Sequence, residues 1–260
     1  MAITNTQRQR VRSLQQRKWR RKYNAFVVEG LVNVNEVLTS PLTVEELYHT
    51  PEVTNQLQAL DSLNPGQLYA VSAKELDRLS GQRSPHGVLA VVTIPDYASS
   101  DLGTFNRIVY LDAVADPGNV GTLVRTAEWF GIDAIVSGPG SVEWYNPKVV
   151  AAARGSLFRM PHYTLDIGEL ARLTSSSDWV IADLDGTASS TFAWPTEGIL
   201  VVGSESQGPV QSRAFLQQQG AVKLAPKLVT IGRADGSKTE SLNAGVAGSI
   251  LLAQWHQAKA

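Results

Sequence analysis

The chain has 260 residues, 43% hydrophobic and 18% charged, with no cysteine and a formal net charge of −1. This is a globular composition, and the missing thiols exclude a disulfide framework, a thiolate metal centre and a cysteine nucleophile. No stretch approaches the roughly 18 consecutive apolar residues of a membrane helix, and the first residues lack the apolar centre of a secretory signal. The expectation is a cytoplasmic protein with no membrane partner.

The near-zero charge conceals an asymmetry. Eight of the 23 Lys and Arg lie in MAITNTQRQRVRSLQQRKWRRK: Arg8, Arg10, Arg12, Arg17, Lys18, Arg20, Arg21 and Lys22. No acid precedes Glu29, and the rest of the chain holds 15 bases against 24 acids. A basic arm on an acidic body points to a polyanionic partner, and Trp19 and Tyr23 among the bases offer faces on which nucleotide bases stack. The same pattern also describes a solvated helix packed through Val11, Leu14 and Trp19. Both readings stand at this level.

After the basic helix, AFVVEG reads as a short strand ended by Gly30, followed by a helix near 32–38. The apolar segments EELYHT and QLYAVS, a helix near 73–79 and the strand GVLAVVTIP complete an α/β pattern. PDYASS (95–100), with Asp101 and Gly103 behind it, marks a linker. We expect a smaller domain over 1–98, a linker at 99–106 and a second domain over 107–260.

The second half is more regular. Strands are expected at 107–114, 132–138, 177–184, 198–205 and 221–226. Helices are expected at 118–131, closed by Gly131, at 146–155, with Pro147 in the first turn, and at 208–220 and 242–257. Continuous apolar strands alternating with helices indicate a mostly parallel sheet covered on both faces.

In such sheets sites form at the carboxyl ends of strands, and three clusters fall there: DAVADPGNVGTLVRTAEWFG, VVGSESQGP and RADGSKTESLNAG. The first has no G-x-G-x-x-G and the second is one residue too long for G-x-S-x-G. No Gly-Lys-Ser/Thr occurs anywhere, and the four histidines are far apart and outside the clusters. No metal is expected. An inventory of Asn, Arg, Glu, Ser and backbone groups suits a substrate that arrives already activated, so that the protein need only orient it and stabilise charge. Methyl transfer from a sulfonium fits this description.

At these clusters the chain resembles the SpoU-type (TrmH-like) RNA ribose 2′-O-methyltransferases of the SPOUT superfamily. DPGNVGTLVRTAEWFG, VVGSESQGP and ESLNAGVAGSILL look like the family's three motifs in order, with YNPKVVAAARGSLFRMP between the first two. RKWRRKYNAFVVEGLVNVNEVL and SPHGVLAVV resemble the L30e-like RNA-binding domain that many rRNA-modifying members carry. The resemblance implies an α/β trefoil-knot methyltransferase domain behind the smaller α/β domain, a homodimer, and S-adenosylmethionine (SAM) as cofactor. Carried over, Gly203, Ile231 and Leu242 hold the cofactor, and Asn119, Arg125, Glu205, Ser241 and Asn243 form the catalytic set.

Each residue also has a plainer reading. Ser241 is a fit helix cap, and Asn119 could cap the helix after Pro117. Arg125, on a helix expected to be mostly buried, should meet a phosphate or carboxylate. Glu205, between two glycines, should find Arg125 or Asn119. Arg17, Lys18, Arg20, Arg21, Lys22, Lys148 and Arg154 are the candidate RNA contacts. The family's Ile-Pro before the third motif is here Ile231-Gly232, and the spacer after it is longer than usual.

The function implied is methylation of a ribose 2′-hydroxyl in structured RNA, with rRNA, and 23S in particular, favoured. The alternatives are a tRNA ribose 2′-O-methyltransferase, a base methyltransferase and an RNA-binding relative without catalysis.

Overall fold

The computed structural model describes residues 3–81, 86–174, 178–218 and 226–258. It divides into two units, one of residues 1–96 with 143–159 and the other of 97–142 with 160–260. In the first, α1 (Asn5–Ser13) starts at a capping box, in which Thr4 and Gln7 satisfy each other's backbone N–H groups. The expected single basic helix is two: the chain breaks after Leu14, and α2 (Arg17–Tyr23) ends at left-handed Asn24. There follow β1 (Ala25–Glu29), α3 (Leu31–Leu38), β2 (Val44–His49), β3 (Leu68–Ala70), α4 (Ala73–Leu79) and β4 (Val88–Thr93). The sheet order is β1-β4-β2-β3, parallel only between β2 and β3. Val11 and Leu14 pack with Val27, Tyr48, Leu76, Leu79, Leu89 and Val91 in one core.

The second unit opens with a 3-10 turn at Ser99–Thr104, and Leu102 of that turn is buried in the unit's core. The segment expected to be a linker is thus anchored through Leu102, while Ser99, Ser100, Asp101, Gly103, Thr104 and Asn106 are exposed. Next come β5 (Arg107–Asp112), α5 (Pro117–Trp129) and β6 (Ala134–Ser137). The chain then contributes α6 (Pro147–Ala153) to the first unit, where Tyr145 and Phe158 pack on Phe26 of β1. Residues 143–159 therefore depart from the domain division expected from sequence, because their aromatic residues find their core in the other unit.

The path resumes with β7 (His162–Thr164), α7 (Ile167–Leu173), β8 (Trp179–Ala188), β9 (Gly198–Gly203), α8 (Val210–Gln218), β10 (Lys227–Thr230) and α9 (Ala244–Gln257). The strand expected at 221–226 lies, but for Pro226, outside the described residues. The six strands run β10-β8-β9-β5-β6-β7, every pair parallel. Strands buried on both faces, such as Ile108–Leu111 and Ile199–Val202, account for the continuous apolar runs. Two short elements, β7 and α7, carried no clear sequence signal. Among the described residues no helix is long and apolar enough to cross a membrane, and no three or more His, Asp or Glu are grouped to hold a metal.

Candidate active site

The chain runs outward from β5 to β6 and β7, then returns to build β8 and β9 on the other side of β5. Connections thus diverge from the carboxyl ends of β5 and β9, the place where open parallel sheets bind ligands. Asp112, the last residue of β5, is in register with Gly203, the last of β9. After β5 the chain turns at Asp116, whose side chain caps α5 by accepting the Asn119 N–H at 2.9 Å. After β9 a tight loop, with a bridge between Ser204 and Gly208, presents Glu205.

Glu205 is the hub. Its Oε1 accepts the side-chain amide of Asn119 at 2.8 Å, the side-chain amide of Asn243 and the backbone N–H of Ala244 at 3.0 Å. Asn243 is also the cap of α9, accepting the Val246 N–H through Oδ1 at 3.1 Å. Two expectations are corrected here: the caps are Asp116 and Asn243, not Asn119 and Ser241. Bare backbone makes the approach of α9 to α5 feasible. A Cβ at Gly245 would stand 3.1 Å from Asn119 Oδ1, and one at Gly248 would meet the Leu123 side chain. Thr126 and Ser249 close the same helix pair with a 3.0 Å hydrogen bond.

Beside this hub lies a cleft of about 670 Å³, lined by 182–185 of β8, the 202–210 segment, Arg213, and residues from Val229 to Leu242 together with α9. Gly203, Ile231, Leu242, Glu205 and Ser241 are all on its wall. Gly203 must be glycine: a Cβ there would lie 2.2 Å from Gly208 C and from Pro209 N. The register of β8 on β10 breaks after Leu228, so that 182–186 bulge towards the cleft, and a Cβ at Gly186 would lie 2.5 Å from the Val229 backbone. Arg213 forms an ion pair with Asp183 across this wall.

The volume falls within the roughly 300–1,000 Å³ of small-molecule sites. The lining is backbone groups at strand ends with the carboxylates of Asp183, Asp185, Glu205 and Glu240 and the guanidinium groups of Arg213 and Arg233, of which Arg213 is paired with Asp183. That set fits a compact ligand bearing both signs of charge, as a sulfonium with an amino-acid group does.

Arg125 departs from expectation. It is exposed, and it has no hydrogen bond or ion pair among the described residues. The cause is helix geometry: six residues beyond Asn119, it is rotated roughly 240° around α5 from the residue that meets Glu205. Thr122 and Trp129 share its exposed face. Glu205 is accordingly held by two asparagines and not by Arg125.

All seven candidate RNA contacts fall in the other unit. Arg17, Lys18, Arg21, Lys22, Lys148 and Arg154 are exposed, and Lys18 and Lys22 lie over the Trp19 ring, which stacks on Tyr23. Arg20 is not a surface contact. It is 3% exposed, paired with Glu143, and donates to Leu14 O at 2.8 Å. Arg8 and Arg10 are likewise engaged, with Glu75 and with Glu45 and Glu46. What the sequence left unsignalled is this internal use of three bases and the part played by Asp112 and Asp116.

Residues 106–253 match the model of the SpoU rRNA Methylase family, more than half of the chain. The chain belongs to that family. Residues 5–90 match the MRM3-like substrate binding domain. The 23S rRNA (guanosine(2553)-2′-O)-methyltransferase RlmP of Bacillus subtilis is 31% identical over 252 residues, covering 93% of this chain and 92% of RlmP. A TrmH-family protein of known structure from Porphyromonas gingivalis has a TM-score of 0.83 at 30% identity, covering 99% of each chain. An rRNA methyltransferase from Sinorhizobium meliloti, solved with S-adenosylmethionine bound, has a TM-score of 0.83 at 25% identity, covering 99% of this chain and 96% of that one. As a SpoU family member the chain is a SAM-dependent RNA methyltransferase.

Proposed function

We propose that this SpoU methyltransferase methylates a ribose 2′-hydroxyl of rRNA in the cytoplasm, with 23S rRNA the favoured substrate. The observation that carries the reading is the convergence of Asn119, Glu205 and Asn243 into one hydrogen-bonded group at the edge of the cleft. The name of the Bacillus subtilis relative supports the choice of RNA and of ribose oxygen. In the same reading α9 is the last element drawn through a trefoil knot.

SAM, when bound, supplies a methyl carbon already carrying its leaving group. Backbone groups at Gly203, Ile231 and Leu242 hold the cofactor, and Ser241 and Asn243 orient the ribose. With the ribose so oriented, its 2′-oxygen would take the methyl group, leaving S-adenosylhomocysteine, and the hydroxyl proton would pass to solvent water. Arg125 has an electrostatic role, since a guanidinium offers five donors and no acceptor. It stabilises the alkoxide charge that develops on the oxygen and holds the target phosphate. Glu205 and Asn119 fix the loops. The six exposed bases of the other unit, Arg17, Lys18, Arg21, Lys22, Lys148 and Arg154, contact the RNA backbone.

The exposure of Arg125 supports a homodimer, in which it serves the cofactor of a second copy. Trp129 on the same helix is 82% exposed, and Val246 on the adjoining helix is 47% exposed. Exposed apolar side chains of this kind mark association surfaces.

The test is transfer of tritiated methyl from SAM into total RNA, followed by alkaline hydrolysis and mapping. The expected product is label in large-subunit rRNA at an alkali-resistant linkage. Label in tRNA, label in an alkali-sensitive linkage, or no transfer would each overturn the reading.

A further inference from the structure

We infer that Asp112 is a positioning residue for the cofactor cleft: it ties together the two ends of the loop that carries Glu205. This rests on the proposed use of SAM at that cleft. YLDAVADPGN contains two aspartates, and they do different work. Asp116 caps the helix that follows it. Asp112 is 1% exposed, and its Oδ2 accepts the Ser212 backbone N–H at 2.8 Å.

The loop in question begins at Gly203 and ends at the first turn of α8. Asp112 meets both ends. Its backbone is in register with Gly203, where the loop departs, and its side chain holds Ser212, where the loop has become helix. The N–H groups of a first helical turn have no partner within the helix, so a carboxylate from another strand can satisfy one of them. The positive end of the helix dipole compensates the buried charge, and no lysine or arginine forms an ion pair with Asp112 among the described residues. The next residue of α8, Arg213, is pinned by Asp183 of β8. Consecutive residues of one turn are thus held from the two strands that flank β9, the strand from which the loop springs. Between these anchors Ser204 and Gly208 pair, and Glu205 stands at the tip.

A buried carboxylate without an ion-pair partner is costly to place. Here its consequence is that the wall made by Gly203, Glu205, Gly208 and Arg213 has one geometry. Loss of the side chain removes one of the two anchors at the α8 end of the loop while leaving every wall residue chemically unchanged.

The test is calorimetric titration of SAM into the full chain, with thermal unfolding measured alongside. Asp112→Ala should raise the SAM Kd about ten-fold, since an unpaired buried N–H is left behind. Asp112→Asn should stay within about three-fold, because its amide oxygen can still accept the Ser212 N–H. Leu170→Ala, in the core of the same unit, supplies a comparable loss of Tm and should leave the SAM Kd unchanged. The inference is overturned if Asp112→Ala binds SAM as the unaltered chain does, or if Leu170→Ala weakens binding equally. An unaltered chain that fails to bind SAM would instead bring down the reading on which the inference rests, and with it the inference.

Discussion

Asn119 and Asn243, from helices far apart in the chain, donate their side-chain amides to the same oxygen of Glu205. The shared carboxylate makes the first, second and third motifs a single object. It sets where α9 starts, because Asn243 is the cap of that helix and Ala244 N–H joins the same oxygen. The asparagine at the mouth of this apolar helix is thereby explained: the first turn is held against a carboxylate at a cleft.

Glu205→Ala removes the acceptor for three donors. Misplacement of about 1 Å in a reacting group costs on the order of 100-fold in rate. We expect kcat to fall about that far with KM for RNA little changed, since the candidate RNA contacts lie in the other unit. Glu205→Gln keeps an oxygen in place and should lose about ten-fold. Steady-state methyl transfer separates the two.

Arg125→Ala should abolish transfer and leave stability and SAM affinity nearly unaltered. The side chain is exposed and has no hydrogen bond or ion pair among the described residues, and such surface substitutions change stability by about 0.5 kcal/mol or less. If Arg125 serves a second copy, mixing Arg125→Ala with Glu205→Ala subunits should restore part of the activity. Failure of the mixture to recover would count against the shared site.

Arg20 and its neighbours separate folding from RNA binding. Arg20→Ala leaves the Glu143 carboxylate without its buried partner. The expected cost is about 3 kcal/mol, the lower end for breaking a buried pair, since Glu143 is partly exposed. Arg17→Ala, Lys18→Ala, Arg21→Ala and Lys22→Ala should leave unfolding unchanged. Each should weaken RNA binding and reduce the salt slope by about 0.7 to 0.9 for every phosphate that the substitution leaves unneutralised. Filter binding at several salt concentrations, beside thermal melts, tells the classes apart.

The parallel sheet and the three clusters at its strand ends were legible because buried parallel strands write continuous apolar runs and glycines punctuate their ends. What sequence could not reveal was which partner each polar side chain chooses. Arg125 and Asn119 stand in the same helical motif, yet the turn of α5 sends Asn119 to Glu205 and Arg125 to solvent. Arg17 and Arg20 stand in the same basic run, yet only Arg20 finds an acid brought from 143–159, a segment that leaves its own half of the chain. Such pairings are properties of packing, and local composition does not encode them.

Gly203→Ala should eliminate SAM binding. The added methyl would stand 2.2 Å from the backbone at Gly208 and Pro209, and neither neighbour can rotate away as a long side chain could. The loop between them would have to open, displacing Glu205 with it. Calorimetry should show no heat of SAM binding while circular dichroism remains that of the folded chain. Retained affinity would mean that the loop is not part of the cofactor wall.

His162 gives the methyltransferase unit a pH dependence of definite sign. The ring is buried, and its Nδ1–H donates to Met160 O at 2.8 Å, which fixes the proton on that nitrogen because a carbonyl only accepts. Burial pushes its pKa down to about 4, and the hydrogen bond to Met160 opposes this only in part. The folded state therefore keeps the ring neutral at pH values where the unfolded chain, titrating near the ordinary histidine value of about 6.5, already binds a proton. Stability from this group is intact above about pH 6.5 and declines as the pH falls towards 4, by up to roughly 3 kcal/mol. His162→Gln cannot titrate, so the difference in its unfolding midpoint between pH 7 and pH 4.5 should be smaller than that of the unaltered chain. Equal differences in the two proteins would show that the acid sensitivity resides in other groups.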